Sequence, residues 1–319
     1  MSHARIKEVC EDRSVYYLVT NRVAGGRFLF KDQEKQQLKT LLFDGMLKLC
    51  YQVIDYVFMD NHFHLIVKIP PIDKISDPAL LKRYRLYKND PEIDFFTDAE
   101  RLDFKFKIHD ISFIIGNFEQ RFVQWFNRVH NSWGRLFGQR FDSELIEVSE
   151  HSDSLLRCMA YVTLNPVRAG IVKDPKDFHF CGYADRVANN KIGLNDDELY
   201  DLFCHGIKAS STEDKRTHFQ QVFRAYMLGL NRFKSADSLT LQEFLDQCDL
   251  PDELHWDDIF THKCRFFTKC LVIGSEAFIR DKLNKFADKM HWKREHQPYT
   301  EDEWNGIHSL KPKRRRASP

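Results

Sequence analysis

The sequence predicts an α+β fold in which helices cover one face of an antiparallel sheet. Residues 16–23 (YYLVTNRV) are rich in aromatic and β-branched side chains, which is typical of a strand. Apolar residues in 108–130 recur at three- and four-residue steps, which is typical of an amphipathic helix. Strand and helix patterns alternate in this way through about residue 185, and this alternation favours the α+β class.

Two further patterns complete the predicted sheet and its cover. Residues 30–50 show helical spacing of their leucines and Met46. The runs YQVIDYVF and HFHLIVKI flank the short polar segment Met59-Asp60-Asn61, and Pro70-Pro71 follows. Two strand-like runs around such a turn predict an antiparallel hairpin.

The remaining segments complete the predicted domain organisation. We expect a catalytic-type domain over 1–185, with an irregular insertion at about 71–106 that contains local helix. The run FDSELIEV predicts a strand, and 149–153 supplies capping residues for a helix to about Asn165. Residues 190–310 are mostly helical in pattern. Residues 311–319 form a basic tail that we expect to be disordered. The tail either binds phosphate non-specifically or only increases solubility.

Bulk composition indicates a globular protein without a membrane span. The hydrophobic share is 43%, the charged share is 30%, and the net charge is +1. No apolar run approaches the roughly 20 residues that a membrane helix needs. The first residues lack the apolar core of a secretory signal, so we expect a cytoplasmic location.

His62 and His64 are the first candidate chemical residues. They lie two apart on a predicted strand, so both imidazoles project from one face. Two neutral imidazoles side by side can bind one divalent metal. By itself, an H-x-H pair is more often structural or incidental.

The segment LLRCMAYVTLNPVRAG carries the second group. If 155–165 is helical, Leu155, Met159 and Val162 form the core stripe. A different stripe then aligns a guanidinium, a phenol and an amide, from Arg157, Tyr161 and Asn165. Pro166 is expected to bend or end the helix just after Asn165.

The chain resembles the single-tyrosine HUH transposases, and among them the REP-associated tyrosine transposases. The resemblance covers roughly residues 10 to 185. It is carried in order by YYLVTNRV, MDNHFHLIV, GRLFGQRFDS and AYVTLNPVRAGIV, and RFFTKCLVIGSEAFI resembles a segment of longer members. Two departures are visible: Asp60 stands where the family often has proline, and the insertion follows Pro70.

The resemblance implies a ferredoxin-like sheet and a metal-dependent transposase. It implies that Tyr161 attacks single-stranded DNA beside a hairpin, forming a 5′-phosphotyrosine and a free 3′-hydroxyl. It also implies that His62, His64 and Asn165 bind Mg²⁺ or Mn²⁺. The implied partner is single-stranded DNA with REP-like or inverted-repeat hairpins, bound by a monomer or a homodimer.

Basic residues near the motifs are the candidate DNA contacts. They are Arg22, Lys68, Arg135, Arg140, Arg157 and Arg168. Trp125, Phe126 and Trp133 lie among them, and for Phe126 core packing is favoured over base stacking.

Three other functions stay open at this stage. The first is another HUH nuclease, a replication initiator or relaxase, although such families usually carry paired tyrosines or a third histidine. The second is a hairpin DNA-binding protein, host-retained or catalytically inactive. The third is a helical interaction protein carried by residues 190 to 319.

Overall fold

The structure of the protein is a computed structural model that divides into two compact units, Met1–Leu145 and Ile146–Pro319. The predicted domain boundary near residues 185–190 stays a prediction. The residues described are 5–149, 152–190, 194, 196–204, 206–229, 242–243, 246, 256, 267, 270–290, 298–299 and 306–310. The basic tail 311–319 lies outside them.

The first unit is built on a sheet with strand order β2-β3-β1-β4. Its strands are β1 (Val15–Arg22), β2 (Gln52–Phe58), β3 (His62–Ile69) and β4 (Asp142–Ile146), the last of which ends at the boundary with the second unit. β3 pairs antiparallel with both β1 and β2, with a register shift between Val53 and Asp55. The predicted hairpin is therefore confirmed.

Two helices of the first unit cover one face of this sheet. They are α1 (Asp32–Lys48) and, later in the chain, the helix Ile111–Val129. The six apolar residues that the sequence places on one side of the later helix are all buried: Ile111, Ile114, Ile115, Phe118, Phe122 and Phe126. Phe118 meets Phe63 of β3 edge to face, with ring centroids 5.6 Å apart. Phe126 is buried in the core, which the sequence favours over base stacking for this residue.

The segment after Pro70 contains two short helices, as predicted for the insertion. These are α2 (Asp77–Lys88) and α3 (Asp98–Lys107), so the helix Ile111–Val129 is α4. Thr97 begins α3 with a capping box, because its hydroxyl accepts from the Glu100 amide while the Glu100 carboxylate accepts from the Thr97 amide.

The second unit is mostly helical in its described parts. Its helices are α5 (Ser154–Thr163), α6 (Asn165–Arg168), α7 (Gly182–Val187), α8 (Asp196–Phe203), α9 (Thr212–Met227) and α10 (Glu276–Met290). It also contains two short antiparallel strands that the helical pattern did not predict, β5 (Val272–Gly274) and β6 (His308–Leu310). Three-residue strands carry too little periodicity to be recognised in sequence.

Helix α5 departs from the expected amphipathic pattern. All ten of its residues are buried, so the side of the helix that carries Arg157 and Tyr161 is covered as well as the predicted core stripe. The helix ends at Thr163, two residues before the predicted end. Asn165 opens α6 with Pro166 in its first turn, where the missing amide of proline is tolerated.

No helix within the described ranges has the length and apolar character needed to cross a membrane.

A half-buried carboxyl in α4 makes the stability of the first unit sensitive to pH. Burial raises the pKa of Glu119 to about 7, against the opposing effects of a hydrogen bond from Asn21 and the nearby charge of Arg5. The Asn21 amide nitrogen donates to Glu119 Oε1 over 2.6 Å. Folded Glu119 therefore keeps its proton at pH values where the unfolded chain loses it, and folding becomes less favourable as pH rises from about 4.5 to 7.

The substitution Glu119→Gln should remove this dependence. At pH 8 the variant should exceed the parent in free energy of unfolding by up to about 3 kcal/mol, and at pH 4 the two should agree. Urea unfolding at both pH values measures the difference. The matched control is Glu92→Gln at an exposed glutamate. An equal difference between Glu119→Gln and the parent at both pH values would contradict the assignment.

Candidate functional site

His62 and His64 lie side by side on β3. Their ring centroids are 5.1 Å apart and the ring planes are nearly perpendicular, at 88°. His62 is partly exposed and His64 is buried. Phe63 between them packs against α4, so the two imidazoles occupy the face of the sheet opposite that helix.

Asn61 orients the first imidazole. The Asn61 amide nitrogen donates to the Gly26 carbonyl over 3.0 Å, and its Oδ1 lies 2.6 Å from His62 Nδ1. Because this oxygen can only accept, His62 Nδ1 carries the proton. In the neutral ring, Nε2 is then the nitrogen with a lone pair for a metal.

Thr20 is the partner of the second imidazole, and its hydroxyl can either accept from or donate to the ring. Its hydroxyl lies 2.7 Å from His64 Nδ1, and the two residues are direct partners in the β1–β3 register. Partners of this kind fix the ring orientation of metal-binding histidines. Sequence reasoning missed both Asn61 and Thr20, although each stands inside a motif already singled out, MDNHFH and YYLVTNRV.

The chemistry of this donor set fits a divalent ion. His62 presents Nε2, and His64 presents Nε2 when the Thr20 hydroxyl accepts from its Nδ1; an amide oxygen would add a neutral third ligand. Among the residues that the structure describes, no group of three or more His, Cys, Asp or Glu side chains could hold a metal.

Tyr161 belongs to the second unit, and its side chain is only 3% exposed. Its ring stacks against Phe267, with centroids 4.8 Å apart and planes at 28°. The Arg168 guanidinium lies 4.4 Å from the same ring, and Arg168 Nη1 donates to the Tyr161 carbonyl over 3.0 Å. The Tyr161 ring is therefore packed against Phe267 and Arg168.

Asn165 is fixed by the end of α5. Its amide nitrogen donates to the carbonyls of Tyr161 and Val162, over 3.0 and 3.2 Å. Because the amide nitrogen is directed at these two carbonyls, the side-chain oxygen faces away from them. This oxygen is the atom of Asn165 that could bind a metal. The shared stripe expected for the Tyr161 and Asn165 side chains stays a prediction.

The predicted DNA contacts differ in accessibility. Arg22, Arg135 and Arg140 of the first unit are exposed, and Lys68 is partly exposed with its Nζ 5.9 Å from the Tyr16 ring centroid. In the second unit Arg168 is partly exposed, whereas Arg157 is buried. Phosphate can reach the Arg157 guanidinium only if its surroundings move.

Comparisons with known proteins add one structural likeness. No family model and no curated protein matches the chain. Among solved structures, the chain is similar to a REP-associated tyrosine transposase bound to a REP hairpin. The identity is 15%, the TM-score is 0.37, and the match covers 61% of this chain and 94% of that one.

Replacing the Thr20 hydroxyl tests whether the histidine pair is a metal site. Thr20→Val keeps the shape of the side chain and removes the partner of His64 Nδ1. The affinity for Mn²⁺, measured by titration calorimetry, should fall about tenfold or more. Thr40→Val is the matched control, because Thr40 is exposed on α1 and its hydroxyl donates only to the Gln36 carbonyl. Equal affinities in the two variants would contradict a role for Thr20.

Proposed function

We propose that this chain is a metal-dependent enzyme that cuts and rejoins single-stranded DNA at hairpin-flanked sites. Its main support is the adjacent imidazole pair, with Asn61 and Thr20 orienting the two rings. The proposal includes a ferredoxin-like sheet, a catalytic domain over 1–185, a helical region over 190–310 and a phosphate-binding tail over 311–319.

In this proposal His62, His64 and Asn165 bind Mg²⁺ or Mn²⁺. When bound, such an ion withdraws negative charge from the scissile phosphate and orients it. The two imidazole nitrogens favour Mn²⁺ somewhat over Mg²⁺, which prefers oxygen ligands.

Tyr161 is the proposed nucleophile. Its phenol oxygen forms a bond to the phosphorus while the bond from phosphorus to the 3′-oxygen breaks. The phenol proton is lost, and the leaving oxygen ends as a 3′-hydroxyl. The phosphodiester energy is stored in the 5′-phosphotyrosine, so attack by a 3′-hydroxyl reverses the step and joins strands.

The proposed DNA track uses the exposed cations of the first unit. Arg22, Arg135 and Arg140 can neutralise backbone phosphates, with Lys68 on the same sheet face as the histidines. Arg168 lies against Tyr161 and is proposed to contact the phosphate that Tyr161 attacks. Arg157 can contact DNA along this track only in a conformation in which its guanidinium is exposed.

A second candidate function is a hairpin-binding protein that does not cleave. One observation favours it, the burial of the Tyr161 ring against Phe267 and Arg168. An enzyme of the proposed kind must expose this phenol to DNA, whereas a binding protein need not. The appearance of a covalent adduct separates the two.

Tyr161→Phe should eliminate the covalent protein–DNA adduct with little loss of stability, since only one oxygen is removed and the ring packing remains. The measurement is incubation with a labelled hairpin oligonucleotide and Mn²⁺, followed by denaturing electrophoresis. Tyr183→Phe is the matched control, a second buried tyrosine of the same unit. A covalent adduct that still forms with Tyr161→Phe would mean that another residue is the nucleophile. No adduct from the parent chain across many hairpins would favour the binding-only function.

His64→Ala should abolish cleavage of a hairpin-bearing single strand and leave the thermal unfolding transition cooperative, because the packing of Phe63 against α4 on the opposite sheet face is unchanged. His179→Ala, at an exposed histidine, should cleave normally. Gel quantification of cleaved strand with and without a chelator measures both effects. Cleavage that survives both His64→Ala and the chelator would remove the metal from the mechanism.

A further inference from the structure

An open pocket of about 480 Å³ lies in the first unit, at the start of α1. Its walls include Phe28, Lys31, Asp32, Gln33 and Asp60. This volume falls within the range of roughly 300–1,000 Å³ that is usual for small-ligand sites.

The pocket is held next to the histidine strand by backbone hydrogen bonds. The Phe30 amide donates to the Asp60 carbonyl over 2.8 Å, and the Val23 amide donates to the Asn61 carbonyl over 2.9 Å. Lys35 Nζ lies 2.7 Å from Asp60 Oδ1. Asp60 is thus a pocket residue two positions before His62, in the turn whose Asn61 orients that imidazole.

Phe28 gives the pocket an aromatic surface. It is 75% exposed, whereas Phe30, two residues later, is buried beside Phe122. A ring at the edge of a pocket offers a face on which a planar group can stack. Stacking of a nucleobase on such a ring contributes about 1–3 kcal/mol to single-strand binding.

The polar groups of the pocket select the chemistry of the ligand. Asp60 is already paired with Lys35, whereas the Asp32 side chain is 89% exposed and is the carboxylate open to a ligand. Its two oxygens can accept from two adjacent hydrogen-bond donors, such as the N1–H and 2-amino groups of guanine. Exposed Lys31 can donate to the guanine O6. No other common base combines two adjacent donors with an acceptor in this way.

We propose that this pocket binds a guanine base of the single-stranded DNA, next to the phosphate that is cut. The inference rests on the proposed function and deepens it, because it assigns a determinant of target sequence.

The test measures single-strand binding by fluorescence anisotropy, in chelator so that no cleavage occurs. A hairpin oligonucleotide is scanned by replacing each flanking guanine with hypoxanthine, which lacks the 2-amino group. We expect one position at which this replacement weakens binding by the parent chain but not by Asp32→Asn. Phe28→Ala should weaken binding about tenfold. The controls are Phe95→Ala, at a phenylalanine that is 78% exposed, and Asp98→Asn, at an exposed aspartate.

The possible outcomes separate the two proposals. If the parent chain binds no single strand, the proposed function fails and this inference fails with it. If the parent binds but Phe28→Ala behaves like Phe95→Ala, only the inference is overturned. The same holds if no guanine position responds to hypoxanthine, or if Asp32→Asn responds exactly as Asp98→Asn does.

Discussion

The antiparallel register of β1 and β3 determines the geometry of the candidate metal site. It places Thr20 opposite His64 and Arg22 opposite His62. Because side chains alternate along a strand, a shift of one residue would turn both imidazoles toward α4 and bring Phe63 to the other face. The aromatic contact between Phe63 and Phe118 opposes such a shift, since it buries both rings in the core. Packing on one face of the sheet therefore stabilises the polar arrangement on the other.

The turn before β3 connects the histidine pair to its surroundings. Asn61 contacts the loop through the Gly26 carbonyl and the imidazole through Oδ1, so one side chain joins both. Asp60 next to it accepts the Lys35 ammonium and lines the pocket at α1. A rigid turn of this kind can position a base and a phosphate together, because the side chains that would contact each are adjacent in the chain.

The second unit holds its candidate residues in a different way. Tyr161 lies in a helix that is buried on all sides, and its ring contacts Phe267 and Arg168. Asn165 and Arg168 both donate to the Tyr161 carbonyl, which ties α6 to the last turn of α5. In the proposed function, attack by Tyr161 would require that its phenol become accessible to DNA.

The sequence by itself determined the features that depend on local periodicity. The six apolar residues of α4, the hairpin around residues 59–61 and the common face of His62 and His64 follow from repeats of 3.6 and 2 residues. Tertiary structure alone decided which strand lies beside β3, and hence that Thr20, 44 residues away in sequence, contacts His64. It also decided that α5 is covered on all sides and that β5 pairs with β6, from Val272 to Leu310. The physical reason is that periodicity defines the faces of an element, whereas the partner that covers each face is set by packing between distant segments.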